Sequence, residues 1–324
     1  MGSWLVTGGA GYIGAHVARA LADAGTEPVV LDDLSSGHRS FVRPEHPFVE
    51  GSVLDTARVT RTLREHGCEG VVHLAGFKYA GVSVSRPLHT YRQNVEGTVS
   101  LLEAMVDAGA GSIVFSSSAA VYGTPDDDVV TEDSPTRPES PYGRSKLIGE
   151  QVIADTARAH GLRHTSLRYF NVVGSGHPDL FDSSPHNLVP LVLKALTDGR
   201  APQINGDDYP TPDGTCVRDY VHVQDLALAH VEAARRLAAG DVLEPVYNLG
   251  SGDGLSVRQV MDAVARATGS DLEPRIEPRR PGDPARIVAR GDLAARDLGW
   301  EMRHDVDQMV ASAWRAWQVA LGAA

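Results

Sequence analysis

In the stretch TGGAGYIG, residues 7–14, three of the four glycines, Gly8, Gly11 and Gly14, have a GxxGxxG spacing. This stretch follows the apolar strand pattern WLV directly and leads directly into a helical pattern. Glycines at these positions allow a tight turn, let the backbone approach a pyrophosphate, and seat the helix against the strand. The stretch therefore predicts a dinucleotide-binding turn at the first strand–helix junction.

Asp32 ends the second strand pattern, PVVLDD, 18 residues beyond Gly14. A carboxylate at this place accepts the ribose hydroxyls of NAD and would repel a 2′-phosphate. The alternative is a structural glycine turn followed by a surface aspartate. The combined placement favours a site for NAD.

The first half of the chain alternates short apolar strand patterns with longer helical ones; the strand patterns are WLVTG, PVVLDD, PFVEG, GVVHLAG and SIVFSSS. Such repeated units predict an α/β fold with a Rossmann-type doubly wound parallel sheet, which binds ligands at the carboxyl ends of its strands. After LRYFN the pattern loosens into Pro- and Gly-rich loops, short helices and a strand at VYNLGSG. We predict an NAD-binding domain over residues 1–171 and a smaller C-terminal α/β substrate lobe over 172–324, with segments that cross back to the sheet.

The composition narrows the class of protein. The 324 residues carry a formal net charge of −12, which disfavours nucleic acid as the main partner. No run approaches the roughly 18 uncharged apolar residues of a membrane span, and the N-terminus has no basic region or cleavage site, so we expect a cytoplasmic protein without a membrane partner. Cys68 and Cys216 lie far apart without metal-type spacing, which predicts neither a disulfide nor a metal site.

The stretch SPYGRSK, residues 140–146, predicts the start of a helix. Ser140 is a good N-cap, Pro141 suits the first helical position, and Tyr142 and Lys146 are then one turn apart. At helical spacing Lys146 falls on the apolar stripe with Ile153, away from Arg144 and the other charges. Tyr142 and Lys146 are either packing residues, with a lysine whose aliphatic stem is buried while its amine reaches solvent, or catalytic residues.

Several motifs together resemble one family: TGGAGYIG, SSSAAVYG, PYGRSK, LRYFN, DYPTPDGTCVRDYVHVQDLA, YNLGSG and RRPGD. They are similar to those of the extended short-chain dehydrogenases/reductases and, within these, of the UDP-glucose 4-epimerases. The resemblance runs from Leu5 to about Trp317. It implies an NAD-dependent isomerase that interconverts UDP-glucose and UDP-galactose through a transient 4-keto sugar.

The resemblance also implies a catalytic set made of Ser118, Tyr142 and Lys146. Tyr142 would be the base, Lys146 would favour its tyrosinate form and bind the nicotinamide ribose, and Ser118 would hydrogen-bond the reacting oxygen. Related dehydratases carry an acidic pair directly after this serine, where this chain has Ala119 and Ala120. The ketone can therefore only be reduced again.

The binding residues implied by the resemblance fall into two sets. The cofactor set comprises Gly8, Gly11, Tyr12, Ile13, Gly14, Asp32, Ser52, Val53, Lys78, Asn94, Tyr142, Lys146 and Tyr169. The substrate set, for a UDP-sugar, comprises Lys78, Ser118, Asn171, Asn187, Asn205, Arg218, Tyr220, Arg280 and Asp283. A homodimer formed through a two-helix face is expected by analogy.

Three departures from the family pattern leave alternatives open. Ser52 replaces an acid expected near the adenine, Asn205 replaces a phenylalanine that often covers the uracil, and Ile287 occupies a position associated with admitting or excluding N-acetylated sugars. UDP-N-acetylhexosamines and UDP-glucuronate remain alternative substrates, the second requiring a further cation for which Lys78, Arg86 and His177 are candidates. A noncatalytic dinucleotide sensor is the alternative of another class, and the intact catalytic set disfavours it.

Overall fold

The computed structural model describes residues 2–271, 273–280 and 284–322. At its centre lies a seven-stranded parallel sheet with the strand order β3-β2-β1-β4-β5-β7-β12. In chain order its strands are β1 (Ser3–Thr7), β2 (Glu27–Asp32), β3 (Phe48–Glu50), β4 (Cys68–His73), β5 (Ser112–Ser116), β7 (Arg163–Tyr169) and β12 (Val246–Leu249). The order reverses between β1 and β4, where doubly wound sheets bind their ligands. The predicted Rossmann-type sheet is confirmed.

Helices cover both faces of this sheet. Neighbouring residues on β1 show the division, because Leu5 packs into one apolar core and Val6 into the other. The face of Val6 is covered by α1 (Tyr12–Asp23), α8 (Val223–Ala238) and α10 (Asp292–Leu298), and the face of Leu5 by α2 (Thr56–Glu65), α5 (Gly97–Ala108) and α6 (Pro141–His160). Within the described ranges, no helix is long and apolar enough to cross a membrane.

The second lobe is built from short strands and three helices around its own core. Its helices are α7 (Leu188–Thr197), α9 (Val257–Thr268) and α11 (Val306–Ala320), which pack together through residues such as Val192, Val264 and Val310. Its strands are β8 (Asn171–Val173), β9 (Gln203–Asn205), β10 (Val217–Arg218), β11 (Tyr220–His222), β13 (Leu255–Ser256), β14 (Arg275–Glu277) and β15 (Arg286–Ala289). Other short elements include α3 (Ala80–Ser85), α4 (Pro87–Tyr91) and β6 (Val129–Val130), a π-helical turn over Arg92–Glu96, and 3-10 turns over Arg39–Phe41 and Ala119–Val121.

The chain returns to the main sheet after entering the second lobe. Strand β12 pairs in parallel with β7, with Val246 opposite Ser166 and Leu249 opposite Tyr169. Helix α8 packs on the same sheet face as α1 and covers it with apolar residues such as Leu226 and Leu237. These segments, which lie beyond residue 171, belong to the layers of the main sheet.

Candidate active site

The glycine turn between β1 and α1 is shaped by backbone crowding. Gly8 adopts a φ of 71°, a conformation that side chains other than hydrogen rarely allow. A Cβ on Gly14 would lie 2.1 Å from the carbonyl oxygen of Gly8, so the helix start and the turn are in direct backbone contact. Helix α1 begins at Tyr12, directly after its N-cap Gly11, and no described side chain caps it. Its first amides, including those of Ile13 and Gly14, therefore suit a phosphate ligand.

Asp32 joins this turn to the loop after β2. Its carboxylate accepts a hydrogen bond from the Ala10 amide at 3.0 Å and one from the Leu34 amide at 2.8 Å. Burial raises the pKa of Asp32, and these two amides partly oppose the rise. A fixed carboxylate beside an uncapped helix start fits the ribose and the pyrophosphate of NAD.

The other predicted cofactor residues surround the same edge of the sheet. Asn94 is buried, and its amide group bonds both backbone groups of Phe77, at 2.6 Å and 3.0 Å, and donates to Ser145 Oγ at 2.8 Å. Val53 is buried, and the Ser52 hydroxyl accepts the Leu54 amide at 3.2 Å. Lys78 is exposed, and its charge opposes the rise that burial causes in the pKa of Asp32. Tyr169 is the last residue of β7. Their contacts with NAD stay predictions.

Helix α6 starts where the sequence predicts. Ser140 Oγ accepts the Gly143 amide at 3.1 Å, and Pro141 is the first helical residue. The predicted inward face is also observed, because Lys146 is only 7% exposed. Its Nζ donates to the Ser116 carbonyl at 2.8 Å and lies 5.9 Å from the centroid of the Tyr142 ring. The lysine is thus anchored to the carboxyl end of β5, next to the tyrosine.

Ser118 brings a hydroxyl group to the same place. It follows β5, its Oγ accepts the Ala120 amide at 3.2 Å, and its side chain lies near enough to Tyr142 to affect the pKa of that tyrosine. Burial raises the pKa of Tyr142, whereas the Ser118 side chain lowers it. Burial also lowers the pKa of Lys146 to about 8, and Glu150 opposes that fall. A neighbouring ammonium group is expected to lower the pKa of a tyrosine, but burial has the larger effect on the pKa of both Tyr142 and Lys146.

A cavity of about 970 Å³ opens in the second lobe. Six of the predicted substrate residues line it: Asn171, Asn187, Asn205, Arg218, Tyr220 and Arg280. Asn171 lies two residues beyond the end of β7, so the cavity begins near the catalytic edge of the sheet. Lys78 and Ser118 do not line this cavity, and Asp283 lies outside the described residues. The volume suits a nucleoside diphosphate sugar.

Comparison with known proteins identifies the family. The model of the NAD dependent epimerase/dehydratase family matches residues 4–250. A UDP-glucose 4-epimerase of Azospirillum brasilense is 44% identical over 322 residues, which cover 98% of this chain and 92% of that protein. The chain belongs to the UDP-glucose 4-epimerase family.

Solved structures of this epimerase family superpose closely on the chain. The UDP-glucose 4-epimerase of Brucella ovis, crystallised with NAD, has a TM-score of 0.93 at 42% identity and matches 97% of this chain and 98% of its own. The enzyme of Bifidobacterium longum, crystallised with NAD⁺ and UDP, has a TM-score of 0.89 at 36% identity and matches 99% of both chains. The resemblance inferred from the motifs is confirmed.

The cavity is also lined by residues that the sequence did not indicate. The cavity wall includes His186, Arg200, Arg275 and Trp317. No local pattern distinguishes these residues from surface residues, because they converge only through the packing of the second lobe. Glu150 is different: it continues the four-residue spacing of Tyr142 and Lys146, and that spacing could have indicated it.

Proposed function

We propose that this chain catalyses the NAD-dependent interconversion of UDP-glucose and UDP-galactose through a transient 4-keto sugar. The observation that carries the proposal is the placement of Lys146, which donates to the Ser116 carbonyl at 2.8 Å and lies 5.9 Å from the centroid of the Tyr142 ring, at the carboxyl edge of the sheet that also carries Ser118. The glycine turn and Asp32 provide the fit for NAD at the same edge. Membership of the UDP-glucose 4-epimerase family supports the choice of sugar.

The chemistry requires a proton and a hydride to leave the sugar together and to return together. NAD, when bound, supplies the group that accepts and returns the hydride at carbon 4. The Tyr142 oxygen accepts the proton of the 4-hydroxyl group and gives it back to the carbonyl oxygen, while Ser118 holds that oxygen in place. Protonated Lys146 would favour the tyrosinate, in opposition to burial, which raises the pKa of Tyr142. Re-reduction on the opposite face of the ketone inverts the configuration at carbon 4.

The cavity can bind the UDP part of the substrate firmly while the keto sugar rotates to present its other face. Arg218 and Arg280 provide guanidinium groups, which pair well with a diphosphate. Asn205, Asn187 and Tyr220 provide polar groups for the remainder of the UDP moiety. The Bifidobacterium longum relative was crystallised with UDP, which supports a UDP-sugar as the partner of this chain.

The decisive experiment uses purified protein without added NAD. UDP-galactose, UDP-N-acetylgalactosamine and UDP-glucuronate are supplied separately and followed by NMR. We expect conversion of UDP-galactose to UDP-glucose, because the hydride returns in each cycle and retained NAD suffices. Turnover of only another sugar would overturn the substrate assignment, and no turnover even with added NAD would favour a noncatalytic sensor.

Tyr142→Phe tests the proposed base. Removing one hydroxyl group leaves the ring in place, so NAD content is expected to stay at the wild-type level. Turnover is expected to fall by about 100-fold or more, the usual range for loss of a general base. Tyr91→Phe, on α4, serves as the matched control and is expected to keep full activity. Wild-type turnover by Tyr142→Phe would contradict the assignment.

We infer that two copies form a homodimer, as the family analogy suggests. The region from α3 to α5 exposes apolar side chains, among them Leu88 at 82%, Val84 at 65% and Val99 at 38%. Covering such groups is a common role of a subunit interface. Light scattering during size-exclusion chromatography is expected to give twice the mass of the chain, and a monomer mass at micromolar concentration would contradict the proposal.

We also propose the cytoplasm as the compartment of this protein. Cys68 and Cys216 are both buried free cysteines, which agrees with a reducing compartment. Fractionation of cells that express the protein is expected to recover its activity with the cytoplasm. Recovery from the secreted fraction would contradict this placement.

A further inference from the structure

Ser116, the last residue of β5, and the next two residues, Ser117 and Ser118, each have a different partner. The Ser116 carbonyl accepts Lys146, and its hydroxyl donates to His230 Nε2 at 2.7 Å. Ser117 Oγ donates to Glu150 Oε1. Ser118 Oγ accepts the Ala120 amide at 3.2 Å, and the Ser118 side chain lowers the pKa of Tyr142 against the effect of burial. The backbone that carries the catalytic serine is therefore fixed by the residue before it, and that residue is fixed by Glu150.

Glu150 is itself held by a buried ion pair. It lies one helical turn beyond Lys146 on α6 and faces Arg168 on β7. Arg168 Nε lies 2.9 Å from Oε1 and Nη2 lies 2.5 Å from Oε2, and the two side chains are only 7% and 6% exposed. Arg168 also donates to the Tyr122 hydroxyl at 3.0 Å. Breaking such a pair leaves an isolated buried charge, which is costly.

We propose that Glu150, held by Arg168, is a positioning residue for the reaction: it fixes Ser117 beneath Ser118 and places a negative charge one helical turn from Lys146. This role rests on the proposed epimerase function. Glu150 touches no reacting atom, so it acts through the serine and through the lysine. The two effects can be separated, because one needs a hydrogen-bond acceptor and the other needs a charge.

The charge effect follows from the surroundings of Lys146. Tyr142 and Glu150 face it from α6, His73 lies close on β4, and Tyr169 on β7 lies near Tyr142. His73 is neutral because burial lowers its pKa to about 3. Glu150 therefore supplies the negative charge that favours the ammonium form of Lys146. Without it, the lysine loses its proton at lower pH.

Two variants separate these effects. Glu150→Gln keeps an acceptor for Ser117 and removes the charge. We expect the alkaline limb of its kcat–pH profile to move about one unit to lower pH, with NAD content and the KM for UDP-galactose unchanged. Ser117→Ala keeps the charge and removes the hydrogen bond. We expect its kcat to fall about tenfold with the profile in place, because Ser118 is less well oriented.

Two further variants complete the design. The double variant Glu150→Gln/Arg168→Met removes both buried charges, so it avoids an unpaired arginine and is expected to show the same alkaline shift. Asp155→Asn removes an exposed charge from the same helix, where Asp155 pairs with Arg158, and is expected to behave as wild type. A purely structural role of Glu150 would lower thermal stability and the active fraction without moving the profile.

The outcomes are distinct. An unmoved alkaline limb in both charge variants overturns the proposal, and so does a wild-type kcat in Ser117→Ala. If neither charge variant folds, Ser117→Ala alone decides. A wild-type protein that converts no nucleotide sugar would instead refute the proposed function.

Discussion

Acid is expected to destabilise this protein through histidines that are buried without a charge, and His73 provides the clearest test. His73 ends β4, is 1% exposed and lies between two threonines. Thr98 donates its hydroxyl proton to the Asn94 carbonyl, so it accepts from His73 Nε2 at 3.1 Å, and Thr7 donates to Nδ1 at 2.8 Å. A second proton on the His73 ring would be added at Nδ1, where it would point at the hydroxyl group that Thr7 donates.

The magnitude follows from the two pKa values of this histidine. Burial lowers the pKa of His73 to about 3, with the charge of Lys146 acting in the same direction. The unfolded imidazole has its ordinary pKa of about 6.5. The folded form is thus favoured above pH 6.5, and this contribution is lost as pH falls towards 3. Between pH 7 and pH 5, the loss from this one residue is about 2 kcal/mol.

Burial lowers the pKa of three other histidines as well, so the total loss of unfolding free energy in acid is large. Burial lowers the pKa of His16 and His222 to about 3 and that of His230 to about 4. Together with His73 they remove roughly 7 kcal/mol at pH 5, which is comparable with the whole stability of a typical domain, about 5–15 kcal/mol. We expect the wild-type protein to be close to unfolding at pH 5.

The assay is urea unfolding of wild type and His73→Gln at pH 7 and pH 5, with the same NAD concentration throughout. Glutamine can both donate and accept but does not titrate in this range. The variant is expected to lose about 2 kcal/mol less than wild type between the two pH values. His160→Gln, at the exposed end of α6, is the control and should lose as much as wild type. Equal losses in wild type and His73→Gln would refute the reasoning.

Two further predictions concern the glycine turn and its support. Gly14→Ala places a Cβ 2.1 Å from the Gly8 oxygen, so the amount of bound NAD is expected to fall at least about tenfold. The bound NAD is released by denaturation and measured by absorbance. Gly81→Ala is the control and should keep its NAD, because Gly81 has open space around it. Arg19→Met removes the two hydrogen bonds from α1 to Asp179, at 2.7 Å and 2.5 Å. The free energy of unfolding in urea is expected to fall by about 1–2 kcal/mol. An unchanged free energy of unfolding would show that the pair with the exposed aspartate does not stabilise the protein.

The sequence predicts the local parts of this structure well because their causes are local. Ser140, Pro141 and the apolar stripe suffice to start α6 and to turn Lys146 inward. The return of β12 to the main sheet has no local cause, since its pairing with β7 joins residues about 80 positions apart. The six predicted substrate residues that line one cavity are indicated only by family resemblance, because their convergence depends on the packed lobe. The raised pKa of Tyr142 depends on burial, which helical spacing alone does not measure.

The pairing of β12 with β7 also determines when the main sheet can be completed during synthesis of the protein. The growing chain emerges from its N-terminus, and β7 keeps an open edge until residues 246–249 have followed. Before then, the Ser166 amide lacks the Pro245 carbonyl that accepts it at 2.9 Å in the finished fold. An open strand edge invites pairing with other chains. A fragment ending at residue 171 is therefore a poor NAD-binding module, and a graft of a new sugar-binding lobe should keep residues 223–249 with the sheet.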